Sequence, residues 1–330
     1  MEFIKKLLAK APQIDQRTRK KLTNKGVSVF SYCFRILILL AIGYIIIYPL
    51  FYMIVTSLRD KQSYYTAATV WIPTSINPAF NYGKAIYSMR LWEGLTNTFV
   101  LEIVAALIEV VTCAITAYGF ARFKFKFKGL LMAGLFLTIL IPETMIIIPR
   151  MVNYSKMDFF GILGFFDMLT GIDLRPNIIG SPLAFYLPSL FAMGLRSGIL
   201  IFIYIQFFKG LPYELEEAAW VDGAGPIRTF LSIAVPSSGV VFITVIVFSI
   251  IWHWNDTVLA SMYVKGNYPL SVHLERINMT LAGQGFYNRN VETQSILMAA
   301  CFLFIIPMLI FYMILQRWFI ESIDRVGITG

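Results

Sequence analysis

The sequence predicts an all-α polytopic membrane protein with six transmembrane helices. Three observations predict this class: the composition, the number of long apolar segments and the distribution of basic residues. Of the 330 residues, 58% are apolar and 14% are charged, whereas soluble domains contain about 45–50% apolar residues with glycine included and about 25% charged residues. A surface in contact with water cannot be built from this composition. Most of the chain is therefore expected to lie in lipid.

Six segments are long and apolar enough to span a bilayer. A spanning helix needs about 20 mostly apolar residues, because the hydrocarbon core is about 30 Å thick and each residue adds about 1.5 Å. The segments that meet this requirement are 36–56, 98–120, 130–148, 187–208, 239–264 and 295–319. They define a transmembrane domain over 36–319, with a basic N-terminal tail at 1–35, a C-terminal tail at 320–330 and a long inner loop at 210–236.

The basic residues predict that both termini lie in the cytoplasm. Lys and Arg are retained on the cytoplasmic side of short loops, and most of the 28 Lys and Arg residues fall on the side of the termini. The tail 1–35 holds nine of them: Lys5, Lys6, Lys10, Arg17, Arg19, Lys20, Lys21, Lys25 and Arg35. Contact of this cluster with anionic lipid headgroups, worth about 1 kcal/mol per residue, explains the net charge of +9 without nucleic acid.

The chain carries no recognisable catalytic or nucleotide-binding motif. It has no G-x-x-x-x-G-K-[ST], H-E-x-x-H or G-x-S-x-G sequence, and its only histidines are His253 and His273. The three cysteines, Cys33, Cys113 and Cys301, form no CxxC pair and are predicted to be buried thiols. We therefore expect no enzyme activity, no metal and no cofactor in this chain.

The inner loop 210–236 is predicted to form two short helices joined by a glycine turn. Pro212 suits the first position of a helix, where its missing N–H has no partner to lose. The acidic residues after it favour the positive end of the helix dipole. Gly223 is predicted to end this helix and Pro226 to begin the second one. Residues at i, i+3, i+4 and i+7 line one face of the first helix, namely Leu215, Ala218, Ala219 and Asp222.

This face is suited to contact with another surface, because two alanines leave room for close approach. Anionic lipid headgroups would repel the acidic helix, so a protein groove with basic edges is the better partner. A short amphipathic helix that rests on the membrane surface is the alternative.

The same loop resembles a known family motif. Glu217-Ala218-Ala219, three residues, Gly223, nine residues and Ile233-Ala234-Val235-Pro236 is similar to the EAA-x3-G-x9-I-x-L-P loop of ABC-importer permease subunits. The one departure is Val235 in place of the usual leucine. Shorter similarities point to the carbohydrate-uptake branch, on the side of the maltose-type G subunit: Asn81-Tyr82, Asn97-Thr98, Gln206-Phe207-Phe208, Trp254-Asn255-Asp256 and Gln316-Arg317.

The resemblance implies a type I ABC-importer permease fold, a multi-pass location in the cell membrane and a set of partners. The partners are a second homologous permease in a heterodimer, two ABC ATPase subunits that bind ATP and Mg, an extracellular or periplasmic solute-binding protein, and a carbohydrate substrate. The loop would dock in a groove of the ATPase, where the glutamate at position 217 meets a basic residue. The residues to which the resemblance assigns coupling are Glu217, Ala218, Ala219, Asp222, Gly223, Ile233 and Pro236.

An ionisable residue within a predicted span costs about 2.5–3.5 kcal/mol on insertion scales, so each one is a functional candidate, and the first to consider are Glu102, Glu109, Glu143 and Arg196. Glu102 and Glu109 are two helical turns apart on one face. We expect them to be held against a neighbouring helix, with Arg196 as a possible partner, across a seam formed by Ala105 and Ala106. A proton or cation relay is the alternative. Glu143 follows Pro142, so it either caps the broken backbone or lines the transport path.

A polar and aromatic cluster ends the fifth predicted span at its outer side. Aromatic faces stack on the C–H surfaces of sugars, and amide and carboxylate groups pair with hydroxyl groups. Trp254, Asn255 and Asp256 are therefore the candidate substrate path. The tryptophans at this boundary, Trp252 and Trp254, equally suit an interfacial aromatic belt.

The sequence thus predicts one permease subunit of an ATP-driven sugar importer. The first alternative is the same machine for another solute, such as an amino acid or a peptide. The second is a proton-coupled secondary carrier that uses Glu102, Glu109 and Glu143. That class is built from inverted repeats, and no convincing repeat relates the two halves of this sequence.

Overall fold

The computed structural model describes residues 16–66, 71–158, 161–286 and 291–327, and within them the side chains of 30–318 except residue 291. These residues are mostly helical and form no β-strand, only an isolated bridge between Arg59 and Ile76. The basic side chains predicted from Lys5 to Lys25 lie outside the described residues. The helices are α1 (Gln16–Leu58), α2 (Lys61–Thr66), α3 (Pro78–Ser88), α4 (Leu91–Arg122), α5 (Lys128–Leu140), α6 (Glu143–Ser155), α7 (Ile162–Thr170), α8 (Leu183–Leu190), α9 (Ser197–Gly210), α10 (Glu214–Val221), α11 (Pro226–Ser237), α12 (Gly239–Trp254), α13 (Val258–Tyr263), α14 (Leu270–Glu275), α15 (Ile277–Gly283) and α16 (Val291–Gly327).

Three helices are long and apolar enough to cross a membrane as single elements: α1, α4 and α16. They contain the predicted spans 36–56, 98–120 and 295–319. Most described side chains of α1 up to Phe51 are exposed, as expected for a helix that faces lipid. The long helices extend into both predicted tails, since α1 begins at Gln16 and α16 continues to Gly327.

The other three predicted spans overlap helix pairs that are joined by sharp bends. The angle is 105° between α5 and α6, 77° between α9 and α10, and 83° between α11 and α12. Three to six spans are therefore present among the described residues, depending on whether each bent pair is counted.

Three breaks lie within these predicted spans, which are therefore not continuous helices. The predicted span 130–148 breaks at Ile141–Pro142, because Pro142 cannot donate the next backbone hydrogen bond. The predicted span 187–208 is two elements, α8 and α9, separated by turns at 191–196 in which Ala192 and Arg196 have positive φ. The predicted span 239–264 ends as a helix at Trp254, and α13 begins at Val258.

Helix α4 lies at the centre of the bundle, where it packs against α8, α9 and α12. Alanines with at most 1% exposure line α4, so neighbouring helices approach its backbone closely: Ala105, Ala106, Ala114 and Ala117. The seam predicted at Ala105 and Ala106 is present, since the buried Ser249 of α12 donates a hydrogen bond to the Ala106 carbonyl. Of the three cysteines, only Cys113 is buried; Cys301 is half-buried and Cys33 is exposed, which corrects the prediction of three buried thiols.

Candidate functional site

The loop 210–236 forms the two predicted helices at one end of the bundle. Gly223 has φ +79° and follows the last turn of α10, a conformation that side chains other than glycine rarely adopt. Pro226 occupies the first turn of α11. The predicted glycine turn and second helix start are therefore confirmed, whereas α10 begins at Glu214, two residues after Pro212. We call this end of the bundle the loop end.

One face of α10 is open. Leu215, Ala218 and Asp222 are exposed and Ala219 is half-buried, so the face predicted from the helical spacing covers no other part of the described chain. Glu217 is exposed beside it. Further along the loop, Ile233 is half-buried within a π-helical turn of α11 and Pro236 is exposed. The loop therefore exposes acidic and apolar side chains side by side to solvent.

The opposite side of α10 is fixed to the bundle by a buried ion pair. Arg122 Nε, at the last residue of α4, lies 2.8 Å from Glu216 Oε1, and the two side chains are 4% and 1% exposed. Arg122 Nη2 donates to the Leu211 carbonyl over 2.9 Å, and its guanidinium carbon lies 4.9 Å from the centre of the Tyr213 ring. The sequence reasoning missed this pair, because Glu216 was counted only as a charge near the helix N-terminus.

A second buried cluster joins α4 to α12. Nδ1 of His253 lies 2.8 Å from Glu102 Oε2, and its Nε2 lies 2.9 Å from Glu109 Oε2. Glu102 and Glu109 have no exposed surface and His253 is 2% exposed. Ser197 at the start of α9 donates a further hydrogen bond to Glu109 Oε1. We call Glu102, His253 and Glu109 the carboxylate–histidine triad.

The protons of the triad follow from its geometry. A neutral imidazole donates from only one nitrogen, yet both ring nitrogens face carboxylate oxygens. A neutral imidazole and two ionised carboxylates hold one proton between them, which serves one of the two hydrogen bonds. Both hydrogen bonds form when the triad holds one additional proton. That proton makes either an imidazolium or one carboxylic acid, and the three groups then carry one negative charge.

The triad confirms part of the sequence prediction and corrects the rest. The two carboxylates are held against a neighbouring helix across small residues, as expected, but their partner is His253 and not Arg196. The guanidinium carbon of Arg196 lies 5.0 Å from the centre of the Trp252 ring, and Arg196 precedes α9 in a left-handed conformation instead of lying inside a helix. A histidine 144 and 151 residues away cannot be identified as the partner from helical spacing alone.

A cavity of about 510 Å³ lies where the three helix breaks meet. Its walls come from the α5–α6 break, the α8–α9 turns and the α12–α13 break, including Thr138, Pro142, Glu143, Arg196, Trp252 and Asn255. Irregular backbone at membrane depth is tolerated where it is buried in protein or lines a cavity. Close approach of α5 and α9 depends on Gly198, since a Cβ there would lie 2.6 Å from Thr138 Oγ1.

Glu143 does not cap the helix break at Pro142, which was one of its two predicted roles. Its Oε1 accepts a hydrogen bond of 2.9 Å from the backbone N–H of Arg196, so it caps the start of α9 rather than its own helix. The carboxylate also lines the cavity.

The three residues of the predicted substrate path occupy different environments. Asn255 lines the cavity and is exposed, with its Nδ2 donating only to the Ile251 carbonyl over 2.8 Å. Asp256 also lines the cavity, but its two oxygens accept from backbone N–H groups at the start of α13. Trp254 is buried and packs on Phe304, 5.6 Å between ring centres. Of these three residues, Asn255 is therefore the one that offers an exposed polar group to the cavity.

A helical bundle with lipid-facing helices, a cavity at its helix breaks and an exposed loop defines a polytopic membrane permease component. The chain belongs to the family of binding-protein-dependent transport system inner membrane components, whose sequence model matches residues 110–325. This confirms the resemblance noted in the loop 210–236. The protein is thus an inner-membrane permease component of an ABC importer and is not itself an enzyme.

Several relatives extend this similarity over most of the chain. The probable starch degradation products transport system permease protein AmyC of Thermoanaerobacterium thermosulfurigenes is 25% identical over 83% of this chain and 89% of its own length. The sn-glycerol-3-phosphate transport system permease protein UgpE of Pectobacterium atrosepticum is 26% identical over 91% and 97%. A bacterial ABC transporter involved in the import of the acidic polysaccharide alginate has the same fold, with a TM-score of 0.66 and 18% identity over 94% of this chain and 100% of that one.

Proposed function

We propose that the chain is a transmembrane permease subunit of an ATP-driven importer of sugars or oligosaccharides, coupled to a separate ATPase through the loop 210–236. The observation that carries the proposal is the two-sided environment of α10. One side is anchored to the bundle through Glu216, and the other presents Glu217, Ala218 and Asp222 to solvent. A helix that is fixed on one side and open on the other suits transmission of a partner's movement.

In this proposal the loop end faces the cytoplasm, together with both termini. Lys124, Lys126 and Lys128 lie beside this end, after the last turn of α4, as the retention of basic residues on the cytoplasmic side requires. Two ATPase subunits that bind ATP and Mg would meet two such loops, one from this chain and one from a second homologous permease. A solute-binding protein would deliver substrate to the opposite end.

The cavity supports a carbohydrate as the substrate. Its volume of about 510 Å³ falls within the range of about 300–1,000 Å³ found for small-molecule sites. Trp252, whose ring already contacts Arg196, and the exposed amide of Asn255 line the same wall. Relatives are named for starch degradation products and sn-glycerol-3-phosphate. Amino acids and peptides remain the alternative solutes.

Transport by the reconstituted complex tests the proposal. The chain would be co-expressed with its neighbouring permease and ATPase, placed in liposomes with the binding protein, and supplied with labelled malto-oligosaccharide, sn-glycerol-3-phosphate or alginate oligosaccharide. We expect uptake of at least one of these solutes to require ATP. Glu217→Ala should abolish uptake while ATP hydrolysis continues, and Glu275→Ala, which removes an exposed carboxylate of α14, should change neither. Uptake that proceeds without ATP, or normal uptake by Glu217→Ala, would refute the proposal.

A proton-coupled carrier is the second candidate, because the carboxylate–histidine triad is a buried titratable cluster. Under the importer proposal both carboxylates serve to hold His253, so Glu102→Gln and Glu109→Gln should leave the pH profile of uptake unaltered. Loss of a proton dependence in these variants would favour the carrier instead.

A further inference from the structure

A movement of the loop 210–236 would not be transmitted to the bundle if the bend between α9 and α10 were flexible. A helix pair joined at 77° through Leu211–Tyr213 has no continuous backbone hydrogen bonds across the joint. If this joint were free, α10 could follow a partner without moving the bundle. Resting on the proposed function, we propose that Arg122 is a positioning residue that fixes the angle between α9 and α10, so that the loop and the bundle move as one body.

The contacts of Arg122 lie on both sides of this bend. Its Nη2 binds the carbonyl of Leu211, the residue that follows α9. Its Nε pairs with Glu216 in the first turn of α10. Its guanidinium carbon lies over the ring of Tyr213, a residue between these two contacts in the chain, and the Tyr213 hydroxyl donates to the Arg122 carbonyl over 3.3 Å. One side chain from a third helix therefore connects every part of the joint.

Burial makes these contacts persistent. An exposed ion pair contributes little because water and salt screen it, whereas Arg122 and Glu216 are 4% and 1% exposed. Arginine suits this role because its planar guanidinium presents several donors in a fixed arrangement. Lysine, a single point charge on a flexible stem, cannot make the same set of contacts.

Further along α4, the carboxylate–histidine triad joins this helix to α9 and α12. Glu102 and Glu109 of α4 bind His253 of α12, and Glu109 also accepts from Ser197 of α9. At about 1.5 Å per residue, the 20 residues from Glu102 to Arg122 place the two clusters about 30 Å apart. His253 lies two residues before Asn255 in the cavity wall. A movement of α10 is thereby delivered to α4, α9 and α12 together and reaches the cavity.

The decisive test uses a variant that frees the angle between α9 and α10 without destabilising the fold. Removing one member of a buried pair leaves an uncompensated charge and destabilises the fold, whereas an apolar pair of similar volume is often tolerated. Arg122→Met/Glu216→Leu should therefore assemble normally but lose the fixed angle. In liposomes we expect its ratio of solute transported to ATP hydrolysed to fall by about tenfold or more, within the usual range of coupling between sites. Lys124→Gln, which removes an exposed cation two residues away, should keep the wild-type ratio.

A distance measurement tests the same inference without transport. Spin labels at Val221 on α10 and Phe127 beside α5, which are 87% and 75% exposed, would be introduced into the full chain after Cys33 and Cys301 are replaced by serine. We expect a narrow distance distribution in the parent chain and a broad one in Arg122→Met/Glu216→Leu, with Lys124→Gln unchanged. Equally narrow distributions would overturn the role of Arg122, even if the complex transports as proposed. A broad distribution in the double variant would uphold that role even if no ATP-driven uptake is found.

Discussion

Replacing His253 by alanine is expected to destabilise the folded chain strongly. The change removes the partner of two carboxyl groups that have no exposed surface, Glu102 and Glu109. Removing one member of a buried ion pair costs about 3–5 kcal/mol, because the remaining charge must stay unpaired or be neutralised by a proton. At about 1.4 kcal/mol per factor of ten, the ratio of folded to unfolded chain should fall by roughly 10²–10⁴.

The free energy of unfolding in mixed micelles, measured by titration with SDS, gives this quantity. His273→Ala is the matched control, because His273 is half-buried and has no ion pair among the described residues. It should cost far less. The triple variant Glu102→Leu/His253→Leu/Glu109→Leu should recover most of the loss, since it leaves no charge unpaired. If His253→Ala unfolds at the same free energy as the parent chain, the triad does not join α4 to α12 as described.

Three further outcomes follow from the site. Gly223→Ala should weaken the loop by about 1–2 kcal/mol, because alanine is strained at a φ of +79°, and limited proteolysis of the loop should quicken. Asn255→Ala should lower uptake while the amount of assembled complex stays constant, since its exposed amide lines the cavity; equal loss of both would make Asn255 structural. Asp256→Ala should instead lower the amount of folded chain, because it removes a helix cap worth about 1 kcal/mol, and an unchanged melting temperature would contradict this role.

Much of the fold could be predicted from local sequence. The spans within α1, α4 and α16 were found because each is a long apolar segment, and hydropathy measures that property directly. The turn at Gly223 was found because a left-handed residue after a short helix favours glycine. Both features depend only on residues close together in the chain.

The breaks in the other spans could not be predicted in the same way. The turns at 191–196 contain Phe191, Met193 and Leu195, so an average over about 20 residues remains apolar although the helix is interrupted. Pro142 and Asn255 marked two of the breaks, but nothing in the sequence indicates that the three breaks meet. The cavity forms where these three breaks come together in the folded chain.

The buried ion pairs were missed for a related reason. Helical spacing places Glu102 and Glu109 on one face, yet it cannot name a partner on another helix. Arg196 was considered because it is a cation in a predicted span, whereas His253 was noted only as one of the two histidines of the chain. Arg122 and Glu216 lie on separate elements and carry charges that ordinary exposed residues also carry. Their burial, not their identity, distinguishes them.

Coupling of this chain to an ATPase through the loop 210–236 is the central claim, and a pull-down tests it most directly. The tagged chain and its Gly223→Pro variant would be purified from native membrane in mild detergent, and the bound proteins would be quantified by mass spectrometry. Proline cannot adopt the φ of +79° found at this position, so the loop should lose its shape. We predict that the parent chain retains an ABC ATPase and a second permease, and that the variant retains the permease but loses the ATPase. A parent chain without any nucleotide-binding partner, or equal ATPase retention by both chains, would contradict the account.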